Sequence, residues 1–364
     1  MGSIYSLPDE DIGPRLTALP LSPASHWGHP SHCRWRWAIN VDSWETPGLS
    51  ENPEFKLLLG LVPEESENIR IRKLPFKDRK RSLVGHLMMR RACAQALGHE
   101  DFLNHTLSRT HGQKPFLEKP LPPNLLNFNF NISHDGRWVV LASDALRLIG
   151  TDISASQRER GEQETDDYLD DLQNLLSSEE MWAIRQKETV RERYSIFQRI
   201  WSAKESVTKA VGQGVDFGLE RITVLLDGND PGAFGDLMPW IAVEEPPKEV
   251  QHPYAEVNID MWERRDWNLE QHKLPSECWA TVALGPVTEC IDRDGNFSAT
   301  LRCKSRDLDA RRLEAELPTP VMEVLQITDI LPPQACAQLA EIRKNNGKSG
   351  INGNNGSHVL SHIG

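Results

Sequence analysis

An α+β fold built as two halves is what this sequence predicts, and three observations carry the prediction. Short segments alternate apolar and polar residues with a period of two, the mark of half-buried strands. Longer segments repeat apolar residues at helical spacing. The order strand, helix, strands occurs twice, as a weak internal echo. The chain's 364 residues suit two domains, at about 100–200 residues per domain.

Residues 1–33, rich in Pro, Ser and His, read as a flexible leader. The segment 34–44 alternates and predicts the first strand. Residues 77–97 predict an amphipathic helix with Leu83, Val84, Leu87, Met88 and Leu97 on its apolar face, stopped by Gly98. Its approach holds nine Lys/Arg and one acid between Arg70 and Arg91, which is either an anion-binding face or a solvated one. Residues 127–134 alternate Asn with Phe128, Phe130 and Ile132. Asp135-Gly136 then predicts a tight hairpin into a strand at 138–142, and a third strand follows at 147–153. In such a meander the first and third strands run parallel, so Ser133, His134 and Asp135 come to the sheet edge where Asp152 ends its strand.

These strands bound an N-terminal subdomain over 34–146. A C-terminal one over 147–340 follows. It begins with an acidic stretch, 154–176, read as a loop or a loosely held helix. Ser177 and Glu180 predict a capping box, and 191–211 a helix ended by Gly212. Strands are expected at 219–226 and 278–285, around a Pro/Gly-rich insertion at about 227–253. The tail, 341–364, holds nine Asn or Gly among the fourteen residues Asn345 to His358 and is expected to be disordered.

Charge and composition exclude several classes. Forty-one Lys+Arg against 53 Asp+Glu give a net charge of −12, which argues against nucleic acid as a partner. No apolar run approaches the roughly 18 residues of a membrane span, so no membrane partner is expected. Six scattered Cys with no C-x-x-C pair suit a reducing, cytoplasmic setting rather than a zinc module or a disulfide scaffold.

Four pieces can carry chemistry. Gly112-x-Lys114-Pro115 is a turn presenting a lysine, with Arg109 just before it. Asn131-x-Ser133-His134-Asp135 ends a strand; alone, such a histidine is an ordinary surface residue. Gly150-x-Asp152 closes an apolar strand with an acid that needs a cation or hydrogen-bond donors if buried; a turn cap is the plain alternative. Trp201-x-x-Lys204-Glu205-x-x-x-Lys209 lies on a helix, where Trp201, Glu205 and Lys209 stack at i, i+4 along one stripe. Asp152 and Glu205 together suit a hard divalent cation. Lys77, Arg109, Lys114 and His134 suit several phosphates. A metal beside a cationic cradle fits phosphoryl-type transfer, in which positioning and charge neutralisation supply most of the rate.

With these motifs in this order and spacing, the sequence resembles the 4′-phosphopantetheinyl transferases of the larger, surfactin-synthetase-activating type, close to the fungal enzymes of broad specificity. The resemblance spans about residues 34–290. It implies a pseudo-dimer of two α+β subdomains with the site in the cleft between them, active as a monomer. It implies transfer of the phosphopantetheine arm of coenzyme A to a serine of acyl or peptidyl carrier proteins. Those carriers serve fatty acid, polyketide and nonribosomal peptide synthases, with aminoadipate reductase as a further candidate; adenosine 3′,5′-bisphosphate is released. By motif, Asp152 and Glu205 would bind Mg²⁺, or Mn²⁺ in its place, and Glu205 would accept the proton of the carrier serine. Lys209 would steady the pyrophosphate. Ser133 and His134 would hold the 3′-phosphate. Lys77, Arg109 and the Lys114-Pro115 turn would contact the nucleotide, with Lys204 a further cofactor-binding candidate. One departure stands out. Many bacterial members carry Gly-x-Asp-x-Glu, and here the last position is Ser154, so Asp135 is the candidate replacement ligand. The alternative class is a non-catalytic module that binds coenzyme A and carriers without turnover.

Overall fold

The structure, a computed structural model, describes residues 33–46, 51–98, 102–118, 121, 125, 127–156, 164–226, 255–302, 317 and 320–351. The expectations for the leader up to residue 32, the 227–253 insertion and the end of the tail from 352 lie outside the described residues.

The first half opens with β1 (Arg36–Asn40), shorter than expected because Asn40 accepts a hydrogen bond from Asp42 N and turns the chain. Helices α1 (Pro53–Leu59) and α2 (Glu65–Lys73) lead into α3 (Phe76–Ala96), followed by the short β2 (Leu107–Arg109) and β3 (Pro115–Leu117). The meander is β4 (Asn129–Asp135), β5 (Trp138–Asp144) and β6 (Leu148–Ser154). The second half continues with α4 (Asp166–Asp171), α5 (Ser178–Arg185) and α6 (Val190–Val211), and then β7 (Ile222–Leu226). Strands β8 (Ala255–Ile259), β9 (Trp262–Glu263), β10 (Asn268–Leu274) and β11 (Cys278–Gly285) complete it. Last come β12 (Met322–Leu325) and α7 (Pro333–Ile351). Among the described residues no helix is long and apolar enough to cross a membrane.

Each half lays one long helix across a small sheet. In the first, α3 buries Leu83, Val84, Leu87 and Met88 against Phe128, Phe130, Val139 and Leu141 over the sheet ordered β12-β1-β5-β4. In the second, α6 buries Ile200, Ala203, Val207 and Ala210 against Leu148 and Ala283 over the sheet β10-β11-β6. The opposite faces of the sheets meet. Trp138 and Val140 pack with Ile153 and Ala280, and Ala142 with Ile149 and Val282. Strand β5 is therefore buried on both faces, which explains its unbroken apolar run.

The predicted capping box is present. Ser177 Oγ accepts from Glu180 N at 3.2 Å, and Glu180 Oε2 accepts from Ser177 N at 2.7 Å. A second box at Thr189 and Glu192 opens α6. Within the acidic stretch, α4 is tied to α6 by Nε and Nη2 of Arg193 on Asp166, at 2.8 and 2.9 Å.

Two boundaries need correction. Residues 320–340 were assigned to the second half, yet β12 pairs in parallel with β1, and Ile327, Ile330, Leu331 and Leu339 join the first half's core. The tail expected from 341 begins inside α7, which runs to Ile351. Its start is anchored by Ala335 and Leu339 in the core and by Arg343 on both Glu54 oxygens at 3.2 and 3.1 Å. Helical bonds propagate from that anchor through residues of poor intrinsic propensity.

Gly150 sets how closely α6 can lie on β6. A Cβ there would stand 2.0 Å from Ser206 O and 2.4 Å from Ala210 N, both helix backbone. Gly150→Ala should therefore push α6 off the sheet at a cost of about 2–3 kcal/mol. A denaturant midpoint unchanged from the parent chain would contradict this.

Candidate active site

Residues 196–211 of α6 are buried with three exceptions, Trp201, Glu205 and Lys209, each half-buried. The stripe read from the i, i+4 spacing is thus the one opening in an otherwise buried stretch of helix. It faces the end of β6. Lys209 Nζ lies 2.5 Å from Asp152 Oδ1 and 3.1 Å from Ser133 Oγ, and Ser133 Oγ donates to the same Asp152 oxygen at 2.8 Å. The Glu205 carboxylate makes no hydrogen bond or ion pair among the described residues. Its acid is held above the ordinary glutamate value, first by burial and then by the charge of Asp152, with Lys209 opposing.

The meander brings Ser133 to Asp152 as expected, but β4 and β6 belong to different sheets. Side chains replace the backbone ladder between them. Asn129 Oδ1 accepts from Ile149 N at 2.9 Å, Asn131 Oδ1 from Thr151 N at 3.0 Å and Asp135 Oδ2 from Ala155 N at 2.8 Å. Each pair is separated by the same 20 residues, so the strands run parallel across the junction of the halves. Asn129 completes the exchange by donating to Arg147 O at 2.7 Å. The alternating asparagines of this strand are the seam of the molecule.

Asp135 also serves that seam, each of its carboxylate oxygens keeping a lone pair for a further partner. Its Oδ1 accepts from Gly136 N at 2.8 Å while Oδ2 holds Ala155 N, so the carboxylate clamps two strand ends. Among the described residues no group of three or more His, Cys, Asp or Glu is arranged to hold a metal. The pair Asp152 and Glu205 still fits a divalent cation. Asp152 already carries a cationic group, the Lys209 ammonium, and Glu205 is an adjacent carboxylate with no bonded partner among the described residues. Two protein carboxylates completed by water and substrate oxygens match the habit of Mg²⁺.

Two lysines leave the predicted set. Lys204 is fully buried on another face of α6, with Nζ donating to Glu180 Oε2 at 2.5 Å and to Leu175 O at 2.7 Å. Lys114 is also buried. Its Nζ donates to Ile149 O and, at 3.2 Å, to Lys209 O, and lies 5.4 Å from the centroid of the Phe297 ring. Burial pushes the Lys114 amine down to about 7. It closes the C-terminal turn of α6 by binding a carbonyl the helix leaves open. Gly112 serves the same contact, since a Cβ there would stand 2.1 Å from Gly212 O. Pro115 is buried in β3, opposite Arg109. The motif is a brace for α6 rather than a phosphate clamp.

The remaining cations are better placed for an anion. His134 is the exposed residue of β4. Desolvation, then the positive charges of Arg81 and Lys209, hold its imidazole below the ordinary value. Arg81 was not singled out from the sequence. It reaches the hairpin from α3, donating to Gly136 O at 2.6 Å. Lys77, one turn earlier, is exposed. Arg109 is exposed on the turn that abuts the end of α6, with Arg70 and Glu67 as charged neighbours. Much of the basic segment has structural work instead: Lys80 donates to Trp44 O at 2.6 Å, and Arg90 to Phe102 O at 3.2 Å. At the other end of the stripe, a cavity of about 120 Å³ is lined by Trp201, Phe197, Tyr168, Tyr194, Gln198, Ser154 and Ala155.

Comparison with known proteins meets this geometry. The family model described as 4′-phosphopantetheinyl transferase, N-terminal, matches residues 44–146, and that of the 4′-phosphopantetheinyl transferase superfamily matches 148–279. The two matches adjoin at the turn between β5 and β6. A phosphopantetheinyl transferase of Thraustochytrium sp. is 34% identical over 206 residues, 55% of this chain and 68% of that one. The human L-aminoadipate-semialdehyde dehydrogenase-phosphopantetheinyl transferase is 30% identical over 254 residues, 68% of this chain and 74% of that one. The 4′-phosphopantetheinyl transferase Sfp of Bacillus subtilis is 28% identical over 178 residues, 49% of this chain and 72% of that one. Two halves that each lay a helix over a sheet, with Asp152, Glu205 and Lys209 close to the seam that joins them, and these matches agree: the chain belongs to the 4′-phosphopantetheinyl transferase superfamily.

Proposed function

We propose that this protein transfers the 4′-phosphopantetheine arm of coenzyme A to a serine of acyl or peptidyl carrier domains and releases adenosine 3′,5′-bisphosphate. The observation that carries the reading is the Glu205 carboxylate, without a hydrogen bond or ion pair among the described residues, half-buried one helical turn from Lys209 and beside Asp152. An alcohol is a poor nucleophile until its proton has an acceptor, and a carboxylate of raised affinity for protons is a suitable one. The serine oxygen forms a bond to phosphorus, its proton passes to Glu205, and the bond to the departing bisphosphate breaks. Asp152 and Glu205 would hold Mg²⁺, or Mn²⁺ in its place, which neutralises charge on the leaving group. Lys209 would face the pyrophosphate, and Ser133, His134 and Arg81 the 3′-phosphate, with Arg109 and Lys77 toward the nucleotide. The aromatic cavity at Trp201 suits the apolar part of the arm.

The reading extends to its setting. The enzyme works as a monomer in the cytoplasm, without nucleic acid. Its carriers are those of fatty acid, polyketide and nonribosomal peptide synthesis, with the reductase of aminoadipate a further one, as in the fungal enzymes of broad specificity. The name of the human relative supports that last substrate. Intact-mass analysis of an apo carrier domain incubated with the protein, coenzyme A and Mg²⁺ tests the proposal. A gain of one phosphopantetheine, abolished by EDTA, is expected. Coenzyme A binding with no gain on any of several carriers would favour a non-catalytic binding module.

A further inference from the structure

Asp152 already holds a positive charge. The Lys209 ammonium and the Ser133 hydroxyl both bond Oδ1, at 2.5 and 2.8 Å, and the Asp152 side chain is only 8% exposed. Glu205, one turn back on the same stripe, has no such partner. The reading above gives Lys209 a second task at the pyrophosphate. With Oδ1 taken by the ammonium and the Ser133 hydroxyl, a divalent ion, bound at about 2.0–2.1 Å, would have to share this small carboxylate with Lys209. Two cations crowded onto one carboxylate repel each other strongly in a partly buried site. The Lys209 side chain is 27% exposed, so its end has solvent to move into.

We infer that Lys209 is an internal counter-ion exchanged for the divalent ion: binding of the ion at Asp152 turns the ammonium outward to the substrate's phosphates. This rests on the metal reading above. Coupling is reciprocal, so phosphates that draw Lys209 off Asp152 tighten the ion in turn. The pair of cationic groups then assembles only when both ligands are present, and the free protein keeps its buried carboxylate neutralised.

The test is Mn²⁺ binding, followed by electron paramagnetic resonance, to the full chain and to Lys209→Gln without coenzyme A, with Asp152→Asn as the blank. The variant should bind Mn²⁺ tighter by about tenfold or more, within the usual range of such couplings. The gap should persist at high ionic strength, whereas repulsion across solvent would be screened. Equal affinity, or a gap that vanishes with salt, overturns the exchange and leaves the two-carboxylate site standing. No Mn²⁺ bound by either chain overturns the metal reading itself. Trace acetylation of the unmodified protein gives an answer that needs no variant. Mg²⁺ alone should raise labelling of Lys209 several-fold and leave the exposed Lys56 unchanged; an unchanged or lower Lys209 signal would count against the exchange.

Discussion

Glu205→Gln is expected to lower kcat by about 10²–10⁴-fold, the usual worth of a positioned general base. It should leave the melting temperature of the metal-free protein close to that of the parent. The reason is the isolation of the side chain: its carboxylate makes no bond among the described residues, so the isosteric amide breaks nothing. Transfer to an apo carrier followed by intact mass, beside thermal unfolding by circular dichroism, separates the two effects. Unchanged turnover, or a lost melting transition, would contradict the role. A titration adds an independent check. Burial and the like charge of Asp152 both favour the protonated acid, and Lys209 opposes them less strongly than burial acts. In the metal-free protein the Glu205 carboxyl should therefore titrate above the ordinary glutamate value of about 4.3. Asp152→Asn should move that midpoint down, because removing a neighbouring negative charge eases ionisation. Carbon NMR of the carboxyl reads both midpoints, and an upward move in the variant would refute the sign.

Why the stripe could be read and its surroundings could not is a matter of what a sequence encodes locally. Trp201, Glu205 and Lys209 sit four residues apart, and helical geometry alone aligns them. Ser177 and Glu180 are three apart, and the capping box needs nothing from elsewhere. Lys114 and Lys204 are different. A lysine in a motif has the same letter whether its ammonium meets a phosphate or a buried carbonyl. Their partners, Ile149 O, Lys209 O and Leu175 O, are backbone atoms that every residue possesses. Asp135 comes to the edge the meander predicts, but its bonds to two backbone N–H groups join partners no sequence pattern marks. Arg81 lay in plain view among nine cations, and only the packing of α3 on the hairpin shows that it, rather than Lys80, reaches His134's neighbourhood. The parallel pairing of β12 with β1 joins Arg36 to Met322, a separation at which periodicity carries no information.

Glu180→Ala is expected to cost about 3–5 kcal/mol, the usual result of removing one member of a buried ion pair. Glu180 is 1% exposed and uses both oxygens: Oε2 accepts from Lys204 Nζ and Ser177 N, and Oε1 accepts from Val224 N at 2.8 Å. One carboxylate thus joins α5 to β7 and to α6. Desolvation already lowers the Lys204 amine, and Glu180 is what opposes it. Without Glu180 the buried ammonium keeps only Leu175 O, while two backbone N–H groups lose their acceptor. Lys204→Met should cost less, because the carboxylate retains both backbone donors. In Glu180→Ala with Lys204→Met the orphaned charge is gone, so the double variant should recover much of the loss and give a coupling energy well above measurement error. Denaturant unfolding of the four chains measures it; a Glu180→Ala cost under about 1 kcal/mol, the worth of an exposed pair, would refute the account. Below its lowered transition the Glu180→Ala protein should still turn over, since Glu205 and Asp152 are untouched. Neighbours in sequence, Lys204 and Glu205 thus divide between them the holding of the helix and the chemistry it presents.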